Sequence, residues 1–339
     1  MMPEGVFVNF TRMVAVTALA TALAVVPGTA EAAACAWKPV PLPMPAGAVQ
    51  ADATAADGVG GYVGTAEFAQ SEQHIVRWNG STTTDYGRVA GTFPNGLTAR
   101  EVNRGGVIVG NASYVYSSVA FRSAGTTLAR LPLPAGSTSS RANAINDRGD
   151  AVGWAVLPDR SRKAVLWPAD RPDTVVELGG LPTGFVEAVD IDEDGTILVR
   201  HYNDQHNATS YKWRDGVATA LRAPSGVKSA EATGIAAGRV SGTFVYQDDS
   251  RRAGLWDAAA TPQVLPQGNR AESVNRGGLV VGVIDAGAVP ILWRNAAVET
   301  VVRTSESLYL GKVGEDGTVP GHYMRQPNNR HSPVVLRCS

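Results

Sequence analysis

The chain has 339 residues, 44% of them hydrophobic, with 30 basic and 31 acidic side chains and a formal charge of -1. That length and apolar share support a sizeable folded core and exclude a wholly disordered chain, and a balanced charge without a basic run argues against a nucleic-acid partner. Thirty-seven glycines and twenty prolines among many Val, Thr and Ala predict short strands joined by tight turns rather than long helices.

Residues 1–34 form a segment of their own. Arg12, an apolar run from Met13 to Val26 and small residues at Ala32 and Ala34 have the pattern of a secretory signal peptide removed before Cys35. The run is short for a bilayer, and no second stretch of about 18 apolar residues follows. Residues 35–339 are therefore expected as one secreted, extracellular, monomeric domain without a membrane span. The two cysteines, Cys35 and Cys338, bracket this domain, and in an exported chain they are expected to pair. The alternative for Cys35 is lipidation, against which Ala32 and the Pro27-Gly28 break both count.

Along the rest of the chain one phrase recurs: ADGVGGYVG (56–64), VNRGGVIVG (102–110), INDRGDAVG (145–153), IDEDGTILV (191–199), IAAGRVSG (235–242), VNRGGLVVG (274–282) and VGEDGTVPG (313–321). After each come a polar loop and a large apolar residue, in order Trp78, Phe121, Trp167, Trp213, Trp256, Trp293 and Leu336. A further strand-like piece ending in Pro, Gly or Ser then closes the unit. A period of about forty residues, four short strands per unit and seven copies predict an all-β fold, a seven-bladed β-propeller of four-stranded blades. Apolar spacing of two excludes helical repeats.

The repeated positions have physical roles. A small residue precedes each turn, Ala53, Ala99, Ala142, Ala188, Ala232 and Ala271, with Leu310 the exception, so that inner strands can crowd round an axis. The turns hold Asn103, Asn146 and Asn275 and glycines such as Gly106 and Gly149, residues expected to supply positive φ. The tryptophans are expected to fill the widening gap between blades. The C-terminal SPVVLRC resembles a third strand and AWKPVPLPMPAG after Cys35 a fourth, so the last blade is expected to be composite, with a Cys35–Cys338 bond replacing the missing loop.

KAVLWPADRPDTVVELGGLPTG (163–184), RRAGLW (251–256), HIVRW (74–78) and the INDRGDAVG set resemble the HAF repeats of bacterial exported proteins. The similarity covers essentially the whole of residues 35–339. It implies a secreted, kelch-like propeller and no defined reaction; the histidine of the repeat stands only at His74.

Functional candidates follow from that frame. Asp190, Asp192 and Asp194 start like a calcium loop, but the twelfth position is His201 rather than Glu, and Asp192 aligns with Asn146, so an acidic hairpin is the expectation. No histidine spacing or serine motif marks a metal or nucleophile site, and no cofactor is expected. The expected functional surface is the axial mouth, where loops entering the inner strands bring Arg100, Arg141, Glu187, Glu231, Arg270, Glu272 and Tyr309 together. The function expected is a binding or interaction module for a protein or glycan. The alternative is an extracellular hydrolase or lyase at the same mouth, with His201 or His322 as acid or base.

Overall fold

The computed structural model describes residue 1, residues 35–284 and residues 289–339. The expected signal peptide, apart from Met1, lies outside them. Met1–Cys35 and Ala36–Ser339 are distinct units, and the strands of the described residues belong to the second. β1 is Trp37–Pro41. The first repeat unit supplies β2 (Gln50–Ala56), β3 (Gly61–Glu67), β4 (Gln73–Asn79) and β5 (Thr82–Asp85). The second supplies β6 (Leu97–Val102), β7 (Ile108–Ser113), β8 (Ser118–Ala124) and β9 (Thr127–Arg130). The third and fourth give β10 (Ser139–Ile145), β11 (Ala151–Val156), β12 (Arg162–Trp167), β13 (Val176–Glu177), β14 (Phe185–Ile191), β15 (Ile197–Tyr202), β16 (Ala208–Arg214) and β17 (Val217–Ala220). The fifth and sixth give β18 (Val227–Ala236), β19 (Arg239–Tyr246), β20 (Arg251–Trp256), β21 (Pro262–Val264), β22 (Arg270–Val274), β23 (Leu279–Ile284), β24 (Val289–Arg294) and β25 (Ala297–Val301). The last holds β26 (Ser307–Leu310), β27 (Val319–Arg325) and β28 (Arg330–Cys338). Among the described residues the one helical element is a 3-10 turn at Ala69–Ser71, and no helix is long and apolar enough to cross a membrane.

Among the described residues five sheets are separate and four-stranded, and the sixth has eight strands. The expectation of seven separate four-stranded sheets is corrected at that point. β12 and β14 meet in one parallel bridge, Arg162↔Phe185, which joins the third and fourth repeat units. The cause is local. Arg162 N donates to Gly184 O at 2.8 Å, and β14 begins at the next residue, so the bond falls inside a strand. Equivalent bonds elsewhere, Gln73 N to Pro94 O and Ala253 N to Gly268 O, end on carbonyls that lie ahead of β6 and β22 and leave those sheets apart.

The two ends meet in one sheet of order β1-β28-β27-β26, with Trp37 opposite Cys338 and Pro41 opposite Val334. Cys35 and Cys338 are disulfide-bonded, which leaves no thiol at Cys35 for a lipid.

The core is divided among the interfaces between successive units. Val63, Ile75, Leu97, Ile108 and Phe121 pack units one and two together, and Ile145, Val165 and Trp167 meet Val109 and Leu131 across the next interface. Trp78, Trp167, Trp256 and Trp293 are fully buried, as is Phe121. Each of these indoles also donates to a carbonyl at the end of the preceding unit: Trp78 to Pro43, Trp167 to Pro132, Trp256 to Arg222 and Trp293 to Pro266. Burying an indole of roughly 200 Å² at about 25 cal/mol per Å² gives an upper figure of about 5 kcal/mol. The N–H bond makes that contact specific to the neighbouring unit. The position holds bulk for packing and a donor for register.

The repeated turns work differently from the expectation. Positive φ is taken by the glycines, 78° at Gly106, 91° at Gly149 and 75° at Gly278, whereas Asn103, Asn146 and Asn275 do not adopt it. The asparagines are buried and act through their amides. Asn103 Oδ1 accepts from Val107 N within its own hairpin, and its Nδ2 donates to Asn146 O in the next unit at 3.0 Å. Asn275 repeats both bonds with Leu279 N and Gly314 O. Buried backbone groups need such partners, so the turn residue is fixed by hydrogen bonding rather than by φ.

Candidate functional site

The inner strands of the first six units carry a local irregularity that builds the axial cavity. The register of β2 on β3 shifts between Ala53 and Ala55, and the same step occurs at Ala99/Glu101, Ala142/Ala144, Ala188/Asp190, Ala232/Gly234 and Ala271/Ser273. One residue per strand is thereby bulged out of the ladder: Thr54, Arg100, Asn143, Val189, Thr233 and Glu272. All six line one cavity of about 590 Å³, with Gly311 and Lys312 of the last unit. Close approach of the inner strand accounts for the glycine that ends six of the seven repeated phrases, Val199 taking its place in the fourth. A Cβ at Gly64 would stand 1.7 Å from Asp52 O, and one at Gly153 would stand 1.9 Å from Arg141 O. The preceding alanines, Ala53 to Ala271, are all buried, as small residues at a crowded axis should be.

Several bulged side chains tie the ring together. Thr54 Oγ1 donates to Ala99 O at 3.1 Å, Asn143 Nδ2 to Ala188 O at 2.8 Å and Thr233 Oγ1 to Ala271 O at 2.7 Å, each reaching the next unit. One layer deeper, Glu101 Oε2 accepts from Ile145 N, Asp190 Oδ2 from Ile235 N and Ser273 Oγ from Val313 N. Lys312 Nζ joins this layer from across the axis, 3.1 Å from Glu101 Oε2 and 3.4 Å from Asp190 Oδ1. Burial pushes the Glu101 carboxyl up to about 7; the charge of Lys312 opposes this and that of Asp190 adds to it. For Lys312 burial pulls down, but the summed attraction of Asp190 and Glu101 wins and holds its ammonium above the usual lysine range. One ammonium neutralises one carboxylate, so the group carries one carboxylate in excess.

At the mouth, Glu187 is buried and receives both Arg162 and Arg200, the latter with Nη2 3.2 Å from Oε2. The Arg162 guanidinium lies 4.4 Å from the Trp154 ring centroid and that of Arg141 5.2 Å from the same ring. Of the mouth residues expected from the sequence, Arg100, Arg141, Glu187 and Glu272 line the cavity. Glu231, Arg270 and Tyr309 do not: Glu231 pairs with Arg251 at 3.5 Å, Arg270 with Glu272, and Tyr309 stacks on His322. His201 meets Thr183 O at 3.1 Å, and His322 stacks on His331 with centroids 4.3 Å apart; neither lines the cavity. The enzyme alternative thus loses the two residues it named at the mouth.

The three aspartates of the calcium-like stretch do not converge. Asp190 faces the axis and Lys312, both oxygens of Asp192 accept backbone N–H groups of Ala237 and Gly238, and Asp194 pairs with Arg214 at 2.6 Å. Among the described residues no group of three or more His, Cys, Asp or Glu is placed to hold a metal ion.

Trp154, Arg162 and Arg200 were not anticipated, although they shape the mouth. They come from second and third strands, whose side chains reach over the inner strand. A signal for two of them existed: counting back from the hairpin turns places Trp154 opposite Arg141 and Arg200 opposite Glu187, as observed. Lys312 had no such signal, because it contacts residues 122 and more positions away.

No family model and no curated protein matches the chain. Solved structures do. The propeller domain of the trilobed protease from Pyrococcus furiosus is 12% identical with a TM-score of 0.57, covering 85% of this chain and 94% of that one. A virginiamycin B lyase from Staphylococcus aureus, solved with quinupristin, is 13% identical with a TM-score of 0.58, covering 89% and 99%. A puromycin-hydrolysing peptidase of Mycobacterium tuberculosis is 13% identical with a TM-score of 0.59, covering 86% of this chain but 52% of that one, so the chain spans about half the peptidase. Likeness at these identities concerns the fold alone, and with the topology above it makes this chain an all-β β-propeller.

Proposed function

We propose that the chain is an exported propeller of the HAF-repeat kind, with seven blades when the eight-stranded sheet is counted as two, and that it works as a binding module for a glycan or protein at its axial mouth. The observation carrying this reading is the convergence of side chains from all the inner strands on one cavity of about 590 Å³, a size within the range of small-ligand sites. The disulfide supports an oxidising destination such as the exterior of the cell. The test is a binding screen of the intact protein against cell-wall polymers and secreted proteins, repeated with Thr98→Trp, which fills the cavity, and Thr219→Trp on the exposed outer strand β17. Ligands lost with the first variant and kept with the second support the reading. Ligands insensitive to Thr98→Trp, or no ligand at all, overturn it.

A further inference from the structure

The cations of the mouth are unequally satisfied. Arg162 and Arg200 share Glu187, and Lys312 is committed to Glu101 and Asp190 below. Arg100 and Arg141 make no ion pair among the described residues. Their side-chain contacts are long and uncharged, Arg100 Nε to Asn111 Oδ1 at 3.4 Å and Arg141 Nε to Ser118 Oγ at 3.5 Å. Both line the same concave wall. Burial, and then repulsion from Arg141, draws the Arg100 guanidinium below its usual range, so the two feel each other's charge. Arg141 is held in orientation by Trp154. Two guanidiniums without an ion-pair partner within 4 Å, the nearby Glu187 carboxylate being shared by Arg162 and Arg200, are complementary to a planar oxyanion, which they can receive through paired N–H donors.

The remaining lining narrows the ligand. Thr98, Asn143 and Glu272 offer hydroxyl, amide and carboxylate groups. The one large apolar ring, Trp154, is 7% exposed and has two guanidiniums over it. The apolar share of the lining is confined, besides that ring, to Ala99, Val189 and Leu310, whereas the polar groups suit the hydroxyls that a sugar would bring. Resting on the reading of the mouth as a ligand site, we propose that it binds an acidic saccharide, the carboxylate received by Arg100 and Arg141 and the hydroxyls by Thr98, Asn143 and Glu272.

The experiment is calorimetric titration of the intact, disulfide-bonded protein with oligosaccharides of galacturonate, glucuronate and mannuronate, with neutral galactose and glucose oligomers, and with a short alanine peptide bearing a free carboxylate. Expected is binding of at least one uronate series, weakening as salt is raised, with Arg100→Gln and Arg141→Gln each lowering affinity about tenfold or more and exposed Arg171→Gln leaving it unchanged. Thermal midpoints confirm that each variant is folded. Neutral oligomers binding as tightly, the peptide binding in place of the uronates, no uronate binding, or arginine variants without effect would each overturn the proposal. If ligands from the wider screen still bind and are still lost with Thr98→Trp, the mouth stands as a ligand site and only its acidic preference falls; if Thr98→Trp is also silent, the site reading falls with it.

Discussion

Lys312 Nζ lies 3.4 Å from Asp190 Oδ1, joining the last repeat unit to the fourth across the axis, while 3.1 Å away Glu101 completes a largely but not fully buried group of two carboxylates and one ammonium. Glu101→Gln should remove the excess charge while its amide oxygen still accepts from Ile145 N. The native carboxyl keeps its proton up to about 7, whereas an ordinary glutamate loses it near 4.5. Between those values the native state binds more protons than the unfolded one, so wild-type stability falls as pH rises. Glu101→Gln is therefore expected to be more stable than wild type above about pH 7, on the order of 1–3 kcal/mol, and to converge with it toward acid. Urea midpoints across that range decide it; a difference independent of pH would refute the assignment.

His322 carries the opposite slope. Burial, and then the charge of neighbouring His331, lowers its imidazole to about 4 from an ordinary 6.5. The unfolded state thus binds the extra proton first, and stability is lost as pH falls from about 6.5 to about 4. His322→Phe keeps a ring between Tyr309 and His331 and should flatten that acid limb by on the order of 1–3 kcal/mol. Thermal midpoints of the two proteins that run parallel through this range would exclude the role.

The disulfide closes a loop of about 300 residues, for which chain entropy gives about 5–6 kcal/mol as an upper figure. Reduction, or Cys35→Ser, is expected to lower the melting temperature markedly without abolishing the β-rich circular dichroism at low temperature, because β1 remains paired along β28 from Trp37 to Pro41. An unchanged midpoint after verified reduction would contradict this.

Asn103 separates two explanations of the turn. Were it selected for positive φ, Asn103→Gly would be harmless. Because its amide makes one bond within the hairpin and one to Asn146 O, Gly and Ala should destabilise alike, by about 1–3 kcal/mol. Chemical denaturation of both variants measures the difference directly.

The repeat was legible because its residues act locally. A Trp at a fixed distance from the repeated turn, with alternating apolar residues between, specifies a hairpin, and at Trp78, Trp167, Trp256 and Trp293 a buried edge, although Trp213 at the same position is only half-buried. Strand order and the meeting of the two ends could be read from it and from Cys35 and Cys338. The mouth was legible in part: Arg100, Arg141, Glu187 and Glu272 stand on inner strands and line the cavity, but Glu231, Arg270 and Tyr309 share those strands and do not. Arg100 and Glu272 line it because they are the bulged residues, which alternation alone does not locate. Arg141 and Glu187 share a repeat position with Glu231 and Arg270 and differ from them in their neighbours: Glu231 and Arg270 are paired with Arg251 and Glu272.

The sequence by itself determined the four-stranded unit, the crowded alanines and the closure by Cys35 and Cys338, since each follows from short-range hydrogen bonding, side-chain volume or covalent chemistry. Only the tertiary structure decided that units three and four merge at Arg162 and Phe185, that Lys312 sits between carboxylates from two distant units, and that Trp154 aligns two arginines at the mouth. Those outcomes depend on where strands far apart in the chain come to lie in the ring, and that geometry is written in no single repeat.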